Sequence, residues 1–111
     1  MPNPTNEREL RRKLEALLAE AHAAARPMEF DLNTLFDRVQ AGTLAQLALA
    51  LRALVGEGRI TVVFRVMSPA GGGIADFKTL TEIPNTLEDR FNDWQELEVT
   101  PDRVVPVYMF Q

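Results

Sequence analysis

Few side chains in this sequence are equipped for covalent chemistry, and their spacing does not assemble them. There is no cysteine, so neither disulfides nor thiolate metal sites can form. The single serine, Ser68, stands before Pro69 in a glycine-rich stretch, and the single histidine, His22, lies among alanines. A serine nucleophile needs a base, and the base needs a third group to orient it; nothing in the spacing supplies one. His22 reads as a surface residue near a helix end, where its protonated form meets the negative end of the helix dipole. Glu88, Asp89 and Asp93 would share one face of a helix. The alternating acids and central glycine of a calcium loop are missing, so this trio reads as a solvated acidic face. Gly71-Gly72-Gly73 lacks the Gly-Lys-Ser/Thr ending of a phosphate loop and reads as a flexible loop tip. The expectation is a chain without catalysis, metal, cofactor or small-molecule substrate.

Binding is left as the chemistry to look for. The net charge of −4 is concentrated at the C-terminal end. Residues 74–111 set Lys78, Arg90 and Arg103 against eight acidic residues. Nucleic-acid binders ordinarily show a basic footprint, because neutralised phosphates supply much of their affinity. The basic residues that could form one are Arg8, Arg11, Arg12 and Lys13, joined by Arg52 and Arg65. A protein partner, including a second copy of this chain, is the first expectation, with nucleic acid as the alternative.

The residues that could meet such a partner depend on the elements that carry them. Leu10, Leu14, Leu17, Leu18 and Ala21 recur with helical spacing. They predict a first helix over residues 6–25, with Asn6 and Glu9 as a capping box and Arg26-Pro27 as its stop. Residues 28–30 alternate as a very short strand. Asp31 or Asn33 caps a second helix that ends near Gln40, and Thr43 caps a third over residues 44–55. That third helix would turn Leu44, Leu47, Leu51, Leu54 and Val55 to a core. Its opposite face holds Ala45, Gln46, Leu49, Ala50, Arg52 and Ala53, since Leu49 lies about 160° from Leu51 at about 100° per residue. An outward Leu49 ringed by alanines is a docking patch in the first reading, covered within the chain in the second, and a contact to DNA in the third.

Residues 59–67 alternate as a strand, and residues 74–80 read as a short strand or bend. Residues 85–91 read as a short helix opened by Asn85 or Thr86, 96–99 as a strand and 104–110 as a last strand. Pro106 predicts an edge position or bulge for that strand. Trp94 falls in a loop, with capping of the core preferred over service as an interface anchor. No stretch approaches the roughly 18 uninterrupted apolar residues of a membrane span, and no targeting signal is visible. The expected location is the cytoplasm.

Helix, short strand, two helices, strand, long loop and strand follow the winged-helix order. From Phe64 onward the chain resembles small bacterial winged-helix domains whose wing carries a zinc ribbon. Those domains have a Cys-Pro-x-Cys-Gly knuckle, matched here by Ser68-Pro69-Ala70-Gly71-Gly72. Their ΦxSLxEIP segment is matched by Phe77-Lys78-Thr79-Leu80-Thr81-Glu82-Ile83-Pro84. Their VTPxxVxxxY ending is matched by Val99-Thr100-Pro101-Asp102-Arg103-Val104-Val105-Pro106-Val107-Tyr108. Ser68 and Gly71 replace the first cysteine pair, and no cysteine stands between Arg90 and Gln95 for the second. The resemblance implies an α+β, winged-helix-like domain with three helices and a small antiparallel sheet, its elongated, ribbon-like wing free of metal. It would occupy residues 6–111 behind a flexible tail of residues 1–5. Residues 6–67 would form the helical core and first wing strand, and residues 68–111 the ribbon-like extension and last strand. It further implies a non-catalytic adaptor or regulatory subunit beside bacterial NTPase and defence-type, antiviral systems. The partner-binding residues would be Gln46, Leu49, Arg52, Ala53 and Trp94.

Overall fold

The computed structural model describes residues 7–111, so the expected tail and the Asn6 cap lie outside the described residues. The chain is an α+β protein of three helices and antiparallel strands, in the order α1 (Glu7–Ala24), β1 (Met28–Asp31), α2 (Leu32–Val39), α3 (Leu44–Gly56), β2 (Thr61–Met67), β3 (Gly73–Phe77), β4 (Thr86–Asp89), β5 (Gln95–Glu98) and β6 (Val104–Phe110). Short 3-10 turns occupy Leu80–Glu82 and Pro101–Arg103. One sheet has the order β1-β6-β2-β3, and β4 and β5 make a second sheet of two strands. The chain divides into two compact units. The first contains the described residues up to Thr61 together with Tyr108–Gln111, and the second is Val62–Val107. The division falls within β2 and β6.

The first unit is built by the leucine stripes. Leu10, Leu14, Leu17, Leu18 and Ala21 of α1 are all buried, as are Leu35 and Val39 of α2 and Leu47, Leu51 and Leu54 of α3. Phe30, Ile60 and Phe110 complete this core, and the rings of Phe30 and Phe110 meet edge-on with centroids 5.6 Å apart. The helix ends are specified locally. Asp31 Oδ1 accepts the Thr34 N–H at 2.7 Å, and Thr43 Oγ1 accepts the Gln46 N–H at 3.1 Å, each satisfying a first-turn donor. After α3, Gly58 takes φ +74°, and the following Arg59 N–H returns to the Leu54 carbonyl at 2.9 Å.

Four expectations need correction. Leu44 is not core: it is the first residue of α3, and its side chain is largely exposed. Residues 86–89 form a strand, not a helix, because Leu87 pairs across the hairpin with Leu97. Glu88, Asp89 and Asp93 therefore share no helical face. Pro106 does not mark an edge strand, since β6 lies between β1 and β2. Trp94 does not cap a core and is 64% exposed.

Candidate functional site

Apart from Gln46 and Arg52 the third helix is apolar throughout, so apolar side chains reach both of its faces. Its leucine stripe is covered by the first unit's core. Its other face is not: Leu49 is 66% exposed, and Arg52 and Ala53 beside it are exposed as well. Gln46, Leu49 and Ala53 succeed each other at intervals of three and four, so they stand in one row. Two adjoining hollows flank that row. One, of about 230 Å³, is lined by Glu7, Leu10, Gln46, Leu49 and Ala50. The other, of about 370 Å³, is lined by Glu7, Arg8, Arg11, Leu49, Ala50 and Ala53. Leu49 lines both, so a shallow groove runs between α1 and α3 with an apolar floor and charged α1 residues along one bank. Four of the five expected partner-binding residues, Gln46, Leu49, Arg52 and Ala53, are thus brought together on α3.

Trp94 belongs to the second unit, at the tip of the β4–β5 hairpin. Both Asp93 and Trp94 have positive φ, at +51° and +60°. Asp tolerates that region, whereas a bulky residue there is an outlier.

Five of the six basic residues of the nucleic-acid reading, Arg8, Arg11, Arg12, Lys13 and Arg52, lie on α1 and α3 of the first unit. Arg65 lies in the second unit and is held by Asp76, with Nε–Oδ1 at 2.7 Å. Arg11 reaches Glu57 through both terminal nitrogens and Glu15 through Nε at 3.2 Å. Lys13 donates to the Val39 carbonyl at 3.0 Å and approaches Glu9 at 3.8 Å. Arg8, Arg12 and Arg52 are exposed.

These ion pairs also set a pH dependence. The Arg59 guanidinium, helped by Arg11, holds the Glu15 carboxyl below its ordinary range; Arg11 does the same for Glu57, and Arg65 for Asp76. A carboxyl whose pKa is lowered by folding stabilises the folded state above its unfolded pKa, about 4. That contribution fades as pH falls through the folded value. The groups are exposed, so the effect is small. The melting temperature is expected to fall by a few degrees between pH 6 and pH 3, and part of that difference should vanish in ~1 M salt. A flat profile would show that the pairs contribute nothing.

Ser68 and Asp89 were not anticipated as a pair. They are the buried polar residues among those described, and the Ser68 hydroxyl donates to Asp89 Oδ2 at 2.6 Å. Two similar turns meet there. The Ala70 N–H donates to Ser68 Oγ at 3.0 Å, and the Phe91 N–H donates to Asp89 Oδ1 at 3.0 Å, each from two residues further on. Arg90 donates to the carbonyls of Gly73 and Ile74 at 2.8 and 3.0 Å, and its guanidinium lies 4.7 Å above the Phe91 ring. Gly72 packs so closely on that ring that any Cβ there would strike it. The glycine-rich tip is therefore fastened to the base of the β4–β5 turn, where a loose loop was expected. His22, the expected helix-end residue, is exposed in the last turn of α1 and belongs to the first unit. Among the described residues no three His, Asp or Glu side chains stand together as a metal site, and no single helix is long and apolar enough to cross a membrane.

Comparison of the chain with protein-family models, with curated proteins and with solved structures finds no match.

Proposed function

We propose that the protein is a non-catalytic interaction module, an adaptor or regulatory subunit that docks a protein partner on the α1–α3 groove. The observation that carries this reading is Leu49, a large apolar side chain two-thirds exposed on the floor of a groove. Isolated exposed leucines are ordinary, but this one sits with Ala50 and Ala53 in a concave, helix-walled setting of the kind that receives apolar anchors. The resemblance to winged-helix domains with a ribbon-like wing agrees with the element order. The two facing turns at Ser68 and Asp89 support a ribbon held by a hydrogen bond instead of a metal. The bacterial, defence-type setting rests on that resemblance alone. A nucleic-acid role is the second reading; it is favoured by the exposed Arg8, Arg12 and Arg52, and disfavoured by the ion pairs that engage Arg11, Lys13 and Arg65.

Leu49→Asp tests the proposal. A charge placed on an exposed patch alters stability by about 0.5 kcal/mol or less, so the melting temperature should stay at the wild-type value. Recovery of the partner from the native host, or self-association if the partner is a second copy, should be lost. Unchanged recovery and unchanged self-association would refute the docking surface. A melting temperature lowered by many degrees would show that Leu49 is covered within the chain, and would refute it equally.

A further inference from the structure

Another hollow of the first unit, of about 290 Å³, lies between α1 and the end of α2 and shares no lining residue with the groove at Leu49. Arg12, Lys13, Leu17 and Glu20 line it from α1, Arg38 and Val39 from α2. Three cations against one carboxylate make a local excess of positive charge in a chain whose net charge is −4. Gathered like charges repel one another until an anion comes between them. The chain supplies only part of that anion. Lys13 donates to the Val39 carbonyl at 3.0 Å, where it offsets the negative end of α2, and approaches Glu9 at 3.8 Å. Glu20 stands 3.5 Å from Arg38, beyond a good hydrogen bond, and both side chains are more than half exposed. Arg12 makes no hydrogen bond or ion pair among the described residues. Beneath these charged heads the floor is apolar, since Leu17 and Val39 are buried.

We infer that this hollow binds a small phosphomonoester, its phosphoryl group held between the guanidinium groups of Arg12 and Arg38 and its organic part laid against Leu17 and Val39. The arginines select the group. A guanidinium is a planar fork of donors that takes two oxygens at once. A carboxylate fills one such fork, whereas the three terminal oxygens of a phosphoryl group can meet two, one from the α1 wall and one from the α2 wall. Lys13 adds positive charge without leaving the Val39 carbonyl, because an ammonium has three donors. The volume selects the size. It stands at the lower end of the roughly 300–1,000 Å³ of ligand pockets, so the ligand is a small molecule. Glu20 on the wall repels the further phosphates of a nucleic-acid backbone. The site uses no residue of α3, so it is independent of the adaptor reading.

Calorimetric titration of the full-length protein with phenyl phosphate, in about 150 mM salt, tests the inference. Saturable binding with a Kd on the order of 0.1–1 mM is expected. Arg12→Gln and Arg38→Gln should each weaken it about tenfold while shifting the melting temperature by no more than about two degrees. Glu20→Gln removes the carboxylate that competes for Arg38, and should tighten binding. Its opposite direction keeps the test decisive even if an arginine variant folds poorly. Lys78→Gln removes one positive charge from the second unit and should change binding by less than about twofold. Benzoate, which carries the same ring on a carboxylate, should bind about tenfold more weakly than phenyl phosphate. The inference is overturned by the absence of saturable binding, by equal losses in Lys78→Gln and the two arginine variants, by benzoate binding as tightly as phenyl phosphate, or by duplex DNA displacing the ester.

Discussion

Phe110→Ala is expected to remove about 3–5 kcal/mol of stability, the range for deleting a fully buried aromatic side chain. Phe110 has no exposed surface and closes its ring edge-on against Phe30 at an interplanar angle of 88°. It arrives from the last strand, far in sequence from the helices whose leucines surround it, so it joins the two ends of the first unit's core. Such a loss is a large share of the ~5–15 kcal/mol by which domains are stable. Thermal unfolding followed by circular dichroism should show a melting temperature lowered by roughly 4 °C or more for each kcal/mol lost. A change of only a degree or two would mean that the C-terminal strand is dispensable to this core.

Asp89→Ala is the second large effect. The carboxylate is 1% exposed and accepts from the Ser68 hydroxyl and from the Phe91 N–H. Alanine would leave both donors without their acceptor, and each such loss costs about 1–3 kcal/mol. The expected total is about 2–5 kcal/mol, offset in part because a buried charge is removed as well. Asp89→Asn separates the hydrogen bonds from the charge: its carbonyl can still accept from Phe91 and its amide can donate to Ser68 Oγ. It should cost about 1 kcal/mol or less. Limited proteolysis is the second readout. With Asp89→Ala, residues 69–73 should become cleavable, because Ser68 no longer fastens their turn. If alanine and asparagine cost the same and the loop stays resistant, the bond between Ser68 and Asp89 does not hold this unit together.

Those two residues also mark where the sequence stops being readable. The helices are local objects. Leu10 to Ala21, Asp31 and Thr43 declare them through spacing and capping chemistry that act within a few residues, and β2 shows itself through its β-branched alternation. The β4 strand does not. Asn85 and Thr86 look like helix caps, and residues 86–89 become a strand only because Leu87 finds Leu97 ten positions away. Pairing of this kind is decided by tertiary contact, which overrides weak propensity. The Ser68–Asp89 bond spans 21 positions and has no local signature. The glycine run 71–73 looked flexible for the same reason, since Arg90 and Phe91, which pin it, both come from the later β4–β5 turn. Leu49 was legible, because helical geometry alone puts it opposite Leu51. Its exposure was not, since that depends on what α1 covers. Trp94 was misplaced because nothing local predicts an aromatic residue in a left-handed turn; the preference of aromatics for cores was the stronger guide.

The account stands or falls on what touches residue 49 when the protein is at work. The most direct measurement replaces Leu49 with a photoreactive benzoyl-phenylalanine in the full chain, irradiates cells of the native host, and characterises the adducts. A covalent adduct that is sensitive to protease, resistant to nuclease, and composed of one defined protein or of a second copy of this chain is the predicted result. An adduct to nucleic acid, or no adduct while the same group placed at a core position such as Leu47 cross-links within the chain, would contradict it.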